Sequence, residues 1–254
     1  MHRFFLLETT ITVGAAVDLS PLAHQLHTVL RLAPGGEIIV MDGAEECEYL
    51  VILESVTRHA AGGHIVRQQP RASEPAVALT LYQSALKADK FEWVLQKGTE
   101  LGVACFTPVI SERSIVRPAA ALLRKYDRWR AIVREAAEQS GRMRIPRLAE
   151  PLAWADAVDR AQGLRIMAWE AAAQGEMVPG VGSLIAPHTA EEQIAISLAI
   201  GPEGGWSAAE AAAAEAAGWQ LGSLGPRILR AETAALAAVT IVLDRLGALD
   251  GPIL

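Results

Sequence analysis

Two glycine-rich segments between residues 194 and 235 carry the side chains and backbone best suited to chemistry. In the first, the apolar run Ile194 to Ile200 enters Gly201-Pro202-Glu203-Gly204-Gly205. Ser207 and Glu210 follow at capping-box spacing and open an alanine-rich helix that stops at Gly218. A glycine-rich turn between strand and helix lets backbone N–H and C=O groups come close to a ligand. It has neither the Gly-Lys-Ser/Thr ending of a P-loop nor GxGxxG spacing, which argues against nucleoside triphosphates and dinucleotides. Taken alone, the loop is equally a tight turn without a ligand. The second segment, Leu221-Gly222-Ser223-Leu224-Gly225-Pro226-Arg227, runs on through Ile228-Leu229-Arg230-Ala231-Glu232. Its chemistry is ionic. Arg227, Arg230 and Glu232 stand at the mouth of a helix, Glu232 to Leu246, that is apolar on nearly all sides. Such charges are costly to desolvate unless something pairs them. The helix itself must be buried, in its own domain or against a second copy.

The elements that would position these loops alternate between strand and helix. Val77 to Tyr82 reads as a strand, Lys90 to Leu101 as a helix stopped by Gly102, and Ala104 to Ile110 as a strand. A long helix runs from about Ala119 to Ser140 and ends at Gly141, and Leu164 to Trp169 and Ile194 to Ile200 have the length of buried strands. This rhythm predicts a largely parallel α/β domain over 73–254. Residues 171 to 193 are rich in Ala, Gly and Pro and suggest no element. Residues 1–72 differ: Glu37 to Met41, the turn Asp42-Gly43, Tyr49 to Val56 and His64 to Gln68 predict short strands of a small β-barrel or sandwich. Ser20-Pro21 reads as an N-cap followed by proline at the first helical position. Gln69 to Pro75 reads as a linker.

Composition narrows the class. Hydrophobic residues make up 51% of the 254 and charged residues 20%, a globular balance. Cys47 and Cys105 form no CxxC pair, which fits a reducing cytoplasm rather than a disulfide framework. The run Phe4 to Leu7 is too short for a signal-peptide core, and no apolar stretch is long enough for a membrane span. A formal net charge of −6 would argue against nucleic acid, yet the charge is unevenly spread. Between Arg113 and Arg147 stand 10 basic residues against 3 acidic ones. That concentration is either a phosphate-binding face or a solvated helix face. Its candidate RNA contacts are Arg113, Arg117, Arg124, Arg128, Arg134 and Arg142, with Arg31 from the N-terminal region. His24 and His27 lie one helical turn apart without a third ligand, and no metal site is expected. The tryptophans read as core, with Trp129, flanked by Arg128 and Arg130, the one suited to stacking on a base.

The two loops together resemble the signature of the RsmE family within the SPOUT methyltransferases. Lys90 to Val103 (KFEWVLQKGTELGV), Ser111 to Arg117 (SERSIVR), Glu138-Gln139-Ser140-Gly141-Arg142, and His27-Thr28-Val29-Leu30-Arg31 with Pro34-Gly35-Gly36 agree with it. The resemblance spans almost the whole chain. It implies a PUA-like β-barrel followed by an α/β domain with a C-terminal trefoil knot, an exception to the general avoidance of knots. It also implies a cytoplasmic homodimer that uses S-adenosylmethionine to methylate N3 of a uridine in 16S rRNA, position 1498 in conventional rRNA numbering, in the assembled small subunit. Carried over by position, the cofactor contacts would be Leu198, Ile200, Gly201, Pro202, Glu203, Gly205, Leu221, Gly222, Leu224, Gly225, Ile228 and Leu229. Other readings in view are a SPOUT methyltransferase for tRNA or another rRNA base, and an inactive PUA-type RNA-binding protein.

Adenosylmethionine carries an activated methyl group, so the chain need only align a ring nitrogen with it. N3 of uracil must lose its proton, and the resulting charge spreads onto two carbonyl oxygens. Arg230 is the first candidate to stabilise that charge, Arg227 the second, and Glu232 is an orienter or proton acceptor. The remaining alternative is a structural Arg230–Glu232 pair.

Overall fold

The computed structural model describes residues 1–7, 9, 11–116, 118–170, 177–186 and 195–250. They divide into two compact units, Met1–Glu74 with Ala137–Ile145, and Pro75–Ala136 with Pro146–Leu254. The segment Ala137–Ile145 therefore joins the first unit, although a single cut after residue 72 assigns it to the second.

Five strands make the sheet of the first unit: β1 (Arg3–Phe5), β2 (Ala16–Asp18), β3 (Glu37–Met41), β4 (Cys47–Val56) and β5 (Ala61–Pro70). Their order is β1-β3-β4-β5-β2, with β1 parallel to β3 and the other pairs antiparallel. Alternation buries Tyr49, Val51 and Leu53 of β4 on one face, with Leu19, Leu26, Ile38 and Ile65 in the same core. Ser20 does not cap a helix. The residues adopt a 3₁₀ turn, Ser20–Leu22, and a wide turn, Gln25–Val29, with Leu19 at the cap position. Asp18 supplies the acceptor instead, its Oδ1 lying 2.9 Å from the Ser20 N–H. Residues 137–145 are held by buried charge: the Phe5 N–H donates to Glu138 Oε1 at 2.9 Å, and Arg142 pairs with Glu74 at 2.5 Å.

In the second unit, β6 (Ala78–Ser84), β7 (Cys105–Ile110), β8 (Arg147–Leu148), β9 (Leu152–Ala153), β10 (Leu164–Ala168), β11 (Ala195–Ile200) and β12 (Gln220–Gly222) form one sheet. Every pair is parallel, in the order β12-β10-β11-β6-β7-β8, with β9 also on β7. Its helices are α1 (Ala88–Leu101), α2 (Ala119–Leu123), α3 (Tyr126–Ser140, ending within residues of the first unit), α4 (Trp154–Arg160), α5 (Val181–Ile185), α6 (Ala208–Ala216) and α7 (Ala231–Arg245). Helix α1 ends at Gly102, whose φ is 111° and where an added Cβ would lie 2.7 Å from Pro75 Cγ.

The expected long helix from Ala119 to Ser140 is two. The Lys125 N–H bonds to the Leu122 carbonyl at 2.9 Å, closing α2, and the Trp129 N–H returns to the Lys125 carbonyl at 2.9 Å, opening α3. The break lets Leu122, Tyr126 and Trp129 all be buried. Trp129 is 1% exposed and stacks on Phe91 with ring centroids 4.4 Å apart, so it is core and not a platform for bases. Of the connection 171–193, α5 lies in the described part, and 171–176 and 187–193 fall outside the described residues.

Candidate active site

In a parallel sheet, ligands bind outside the carboxyl ends of the strands, where loops lead into helices. A cavity of about 410 Å³ sits there. Each segment of its wall follows such a strand end: Lys90 comes after β6, Arg113 after β7, and Ala168-Trp169-Glu170 ends β10. Ile200 to Trp206 follows β11, and Leu224, Gly225, Arg227 to Ala231 and Ala234 follow β12. Topology thus brings together two loops that are separated in sequence by a whole helix.

The first loop is shaped by its glycines and by Trp206. Gly205 has φ 67°, the left-handed region that glycine enters without strain, and its Cα faces the Glu170 carboxylate. A Cβ on Gly201 would lie 3.2 Å from the indole Cδ1 and Nε1 of Trp206. Trp206 is 4% exposed, and its Nε1 has no hydrogen-bond partner among the described residues. The helix behind the loop is anchored by the capping box: Glu210 N–H donates to Ser207 Oγ at 3.2 Å and Ser207 N–H to Glu210 Oε2 at 2.9 Å. Glu210 Oε1 also accepts from the Glu112 N–H at 2.7 Å, and the neighbouring Arg113 Nη1 donates to the Gly204 carbonyl at 3.0 Å. One carboxylate therefore ties the loop after β7 to the loop after β11. Glu203 Oε1 accepts from the Lys87 N–H at 3.3 Å, joining the loop to the start of α1.

The second loop delivers charge. Gly225, at φ 103°, has open space around its Cα, and Arg227, Ile228 and Arg230 are exposed along the wall. Arg230 holds the cap position of α7 in extended backbone, and its carbonyl accepts from the Ala234 N–H at 2.8 Å. Glu232, in the first turn, points to Lys90 at 3.2 Å and not to Arg230, which removes the Arg230–Glu232 pair as a structural explanation. Segments before β11 and after β12 are strapped together: Val181 N–H donates to Ser223 O at 3.0 Å, and Ser223 N–H to Pro179 O at 2.9 Å.

Of the residues singled out from sequence, Ile200, Gly201, Pro202, Glu203, Gly205, Leu224, Gly225, Arg227, Ile228, Leu229 and Arg230 share this one wall. Leu198, Leu221 and Gly222 lie behind it. Leu198 is fully buried inside β11, and a Cβ on Gly222 would press on Val181 and Leu184. Glu232 is off the wall and pairs with Lys90. Among the basic candidates, Arg113 lines the cavity, Arg31 and Arg124 are exposed, Arg134 is half-buried, and Arg128 is exposed but forks onto Glu92 at 2.8 and 2.7 Å. The Glu92 carboxylate raises the Arg128 pKa still further, so that side chain stays charged. Arg117 lies outside the described residues. Arg142 is corrected: it is 4% exposed and paired with Glu74, so no phosphate can reach it without breaking a buried ion pair. Lys90, Glu170 and Trp206 also line the cavity, and no local motif marks them. Only their positions just beyond strand ends could have signalled them.

A family model described as an RNA methyltransferase domain matches residues 73–243. The ribosomal RNA small subunit methyltransferase E of Synechocystis sp. is 34% identical over 94% of this chain and 75% of its own length. The protein of the same name from Bacillus subtilis is 30% identical over 95% of this chain and 96% of its own. The crystal structure of a ribosomal RNA small subunit methyltransferase E from Neisseria gonorrhoeae, bound to S-adenosyl methionine, superimposes with a TM-score of 0.84 at 35% identity, covering 97% of this chain and 98% of that one. The chain belongs to this family of RNA methyltransferases, the ribosomal RNA small subunit methyltransferase E group.

Proposed function

We propose that the cavity binds S-adenosylmethionine and that the protein methylates N3 of one uridine in 16S rRNA of the small ribosomal subunit. The observation that carries this is the meeting of the Ile200–Trp206 and Leu224–Ala234 loops on one cavity, with Arg227 and Arg230 in its wall. The names of the relatives supply the RNA, and the Neisseria gonorrhoeae structure supplies the cofactor.

The residues present fit that cofactor. Small-molecule sites enclose about 300–1,000 Å³ within mostly apolar walls and a few placed polar groups. Here Ile200, Trp206, Leu224, Ile228 and Leu229 give the apolar wall, and the unpartnered Trp206 Nε1 offers a buried donor. Backbone of the Gly201–Gly205 and Gly225 turns would lie against it. When bound, the cofactor supplies a methyl group already activated for transfer. The chain's own task is to hold uracil N3 in line and to stabilise the ring once its proton has left. Arg230 serves this charge with a fixed fork of donors, and Arg227 stands second along the same wall.

The wider arrangement follows the same reading. Residues 1–72 would serve as a PUA-like RNA-binding domain, and the domain of residues 73–254 would carry a trefoil knot. The Gly180–Ser223 bridge and the packing of α7 against α1 and α5 support the knot. A cytoplasmic homodimer fits α7, whose Leu236, Ala237 and Ile241 are only half-buried, although Thr233, Thr240, Asp244 and Arg245 give the helix more polar surface than its composition implies. Arg31, Arg124, Arg128 and Arg134 would meet RNA phosphate.

Transfer of radiolabelled methyl from S-adenosylmethionine should be tested on assembled small subunits, free 16S rRNA and bulk tRNA. Label in 16S rRNA of the subunit supports the proposal. Label confined to tRNA, or none in any RNA, contradicts it.

A further inference from the structure

Among the described residues, two cavity-wall cations come from outside the two glycine-rich loops: Arg113, whose Nη1 donates to the Gly204 carbonyl, and Lys90. It reaches the wall from α1, the helix that follows β6. Its Nζ lies 3.2 Å from Glu232 Oε1, while the Glu232 side chain is 14% exposed and takes no part in the wall. The other carboxylate oxygen, Oε2, is buried with no hydrogen-bond partner among the described residues.

A largely buried carboxylate with one oxygen unsatisfied is costly and poorly explained as a stabilising pair. The arrangement makes sense if its product is the placement of the ammonium. Lys90 lines the cavity, and Glu232, its partner, lies outside the lining. An ammonium has three donors, so pairing with one carboxylate leaves donors for a second acceptor.

We infer that Lys90 is a further catalytic residue, its ammonium donating to a uracil carbonyl oxygen beside Arg230, and that Glu232 is the positioning residue that holds it there. This rests on the proposed function. The N3–H bond breaks with its proton passing to solvent, because an ammonium has no lone pair to accept it. The N3 electron pair forms the new bond to the methyl carbon as that carbon's bond to sulfur breaks, with the electrons of that bond staying on sulfur. Lys90 and Arg230 lower the cost of the negative charge on the ring oxygens while N3 is without its proton. Glu232, with Oε1 on Lys90 and Oε2 out of reach, is not the proton acceptor.

The test is single-turnover methylation of small subunits across a pH series by the parent protein and by K90M, K90R, E232Q and the K90M/E232Q double variant. Calorimetry of S-adenosylmethionine binding and melting temperatures accompany the rates. A missing cation makes ring ionisation harder, so the K90M rate should fall about 10- to 100-fold near neutral pH. The deficit should shrink as pH rises and solvent takes over the deprotonation. K90R should recover part of the rate, E232Q should show the same pH-dependent deficit in smaller degree, and the double variant should be no slower than K90M. Cofactor affinity should stay at the parental value throughout. A K90M profile parallel to that of an active parent, or within twofold of it, overturns the role of Lys90 alone. K90Q, nearer in polarity, decides the matter by the same criterion if K90M melts early. A parent that transfers no methyl overturns the proposed function and this inference together.

Discussion

Arg230 caps α7 in extended backbone, with φ −64° and ψ 148°, and its side chain is free of the capping duty that Ser207 performs for α6. Replacing it should therefore leave the helix largely intact. Loss of one donor aimed at developing charge costs about 10²- to 10³-fold in rate. For Arg230→Ala we expect that fall in single-turnover rate, with S-adenosylmethionine affinity by calorimetry and the melting temperature close to parental; near-parental turnover would remove Arg230 from the chemistry. Arg142 makes the opposite case. Its side chain is 5% exposed and that of Glu74 11%, and Glu74 Oε1 also accepts from the Met143 and Arg144 N–H groups at 3.0 and 3.1 Å. Breaking such a pair strands a buried carboxylate and costs about 3–5 kcal/mol. Arg142→Ala should lower urea-unfolding stability by that order while the folded protein keeps its RNA affinity. The reverse pattern would return Arg142 to the RNA-binding set. Local charge density was legible in the sequence around Arg142. Its partner, 68 residues away, was not.

Elements were legible where the signal is local. The Ser207–Glu210 box and the Gly102 and Gly141 stops act within a few residues, and they appear where spacing predicts them. The break at Arg124–Lys125 was hidden because no proline or glycine marks it. It arises from the need to bury Leu122, Tyr126 and Trp129 together. Glu210 shows how one element supports the site. Ser207→Ala should cost about 1 kcal/mol, the usual value of an N-cap. Glu210→Ala loses that box and also the acceptor for Glu112 N–H, next to Arg113 and its bond to the Gly204 carbonyl. We expect it to lower the melting temperature more than Ser207→Ala and to weaken cofactor binding as well. Equal effects in the two variants would mean that the link to the β7 loop contributes nothing.

At the scale of the molecule, the two glycine-rich loops could be read from sequence because glycine at a strand end is itself the signal. The placement of Lys90, Glu170 and Trp206 could not, because a parallel sheet assembles its carboxyl-end loops from strands far apart in the chain. Net charge averages in the same way: the overall −6 covers a segment, residues 113–147, with 10 basic residues against 3 acidic ones. Removing Arg124, Arg128 and Arg134 together should flatten the dependence of log affinity on log salt by about 2 to 3, from roughly 0.7 to 0.9 per phosphate contact. An unchanged slope would assign that face to solvent. The most direct test of the account as a whole is nucleoside mass mapping of 16S rRNA from small subunits incubated with the protein and S-adenosylmethionine. A single new N3-methyluridine at one position is expected. A methyl group on ribose or on another base would contradict it.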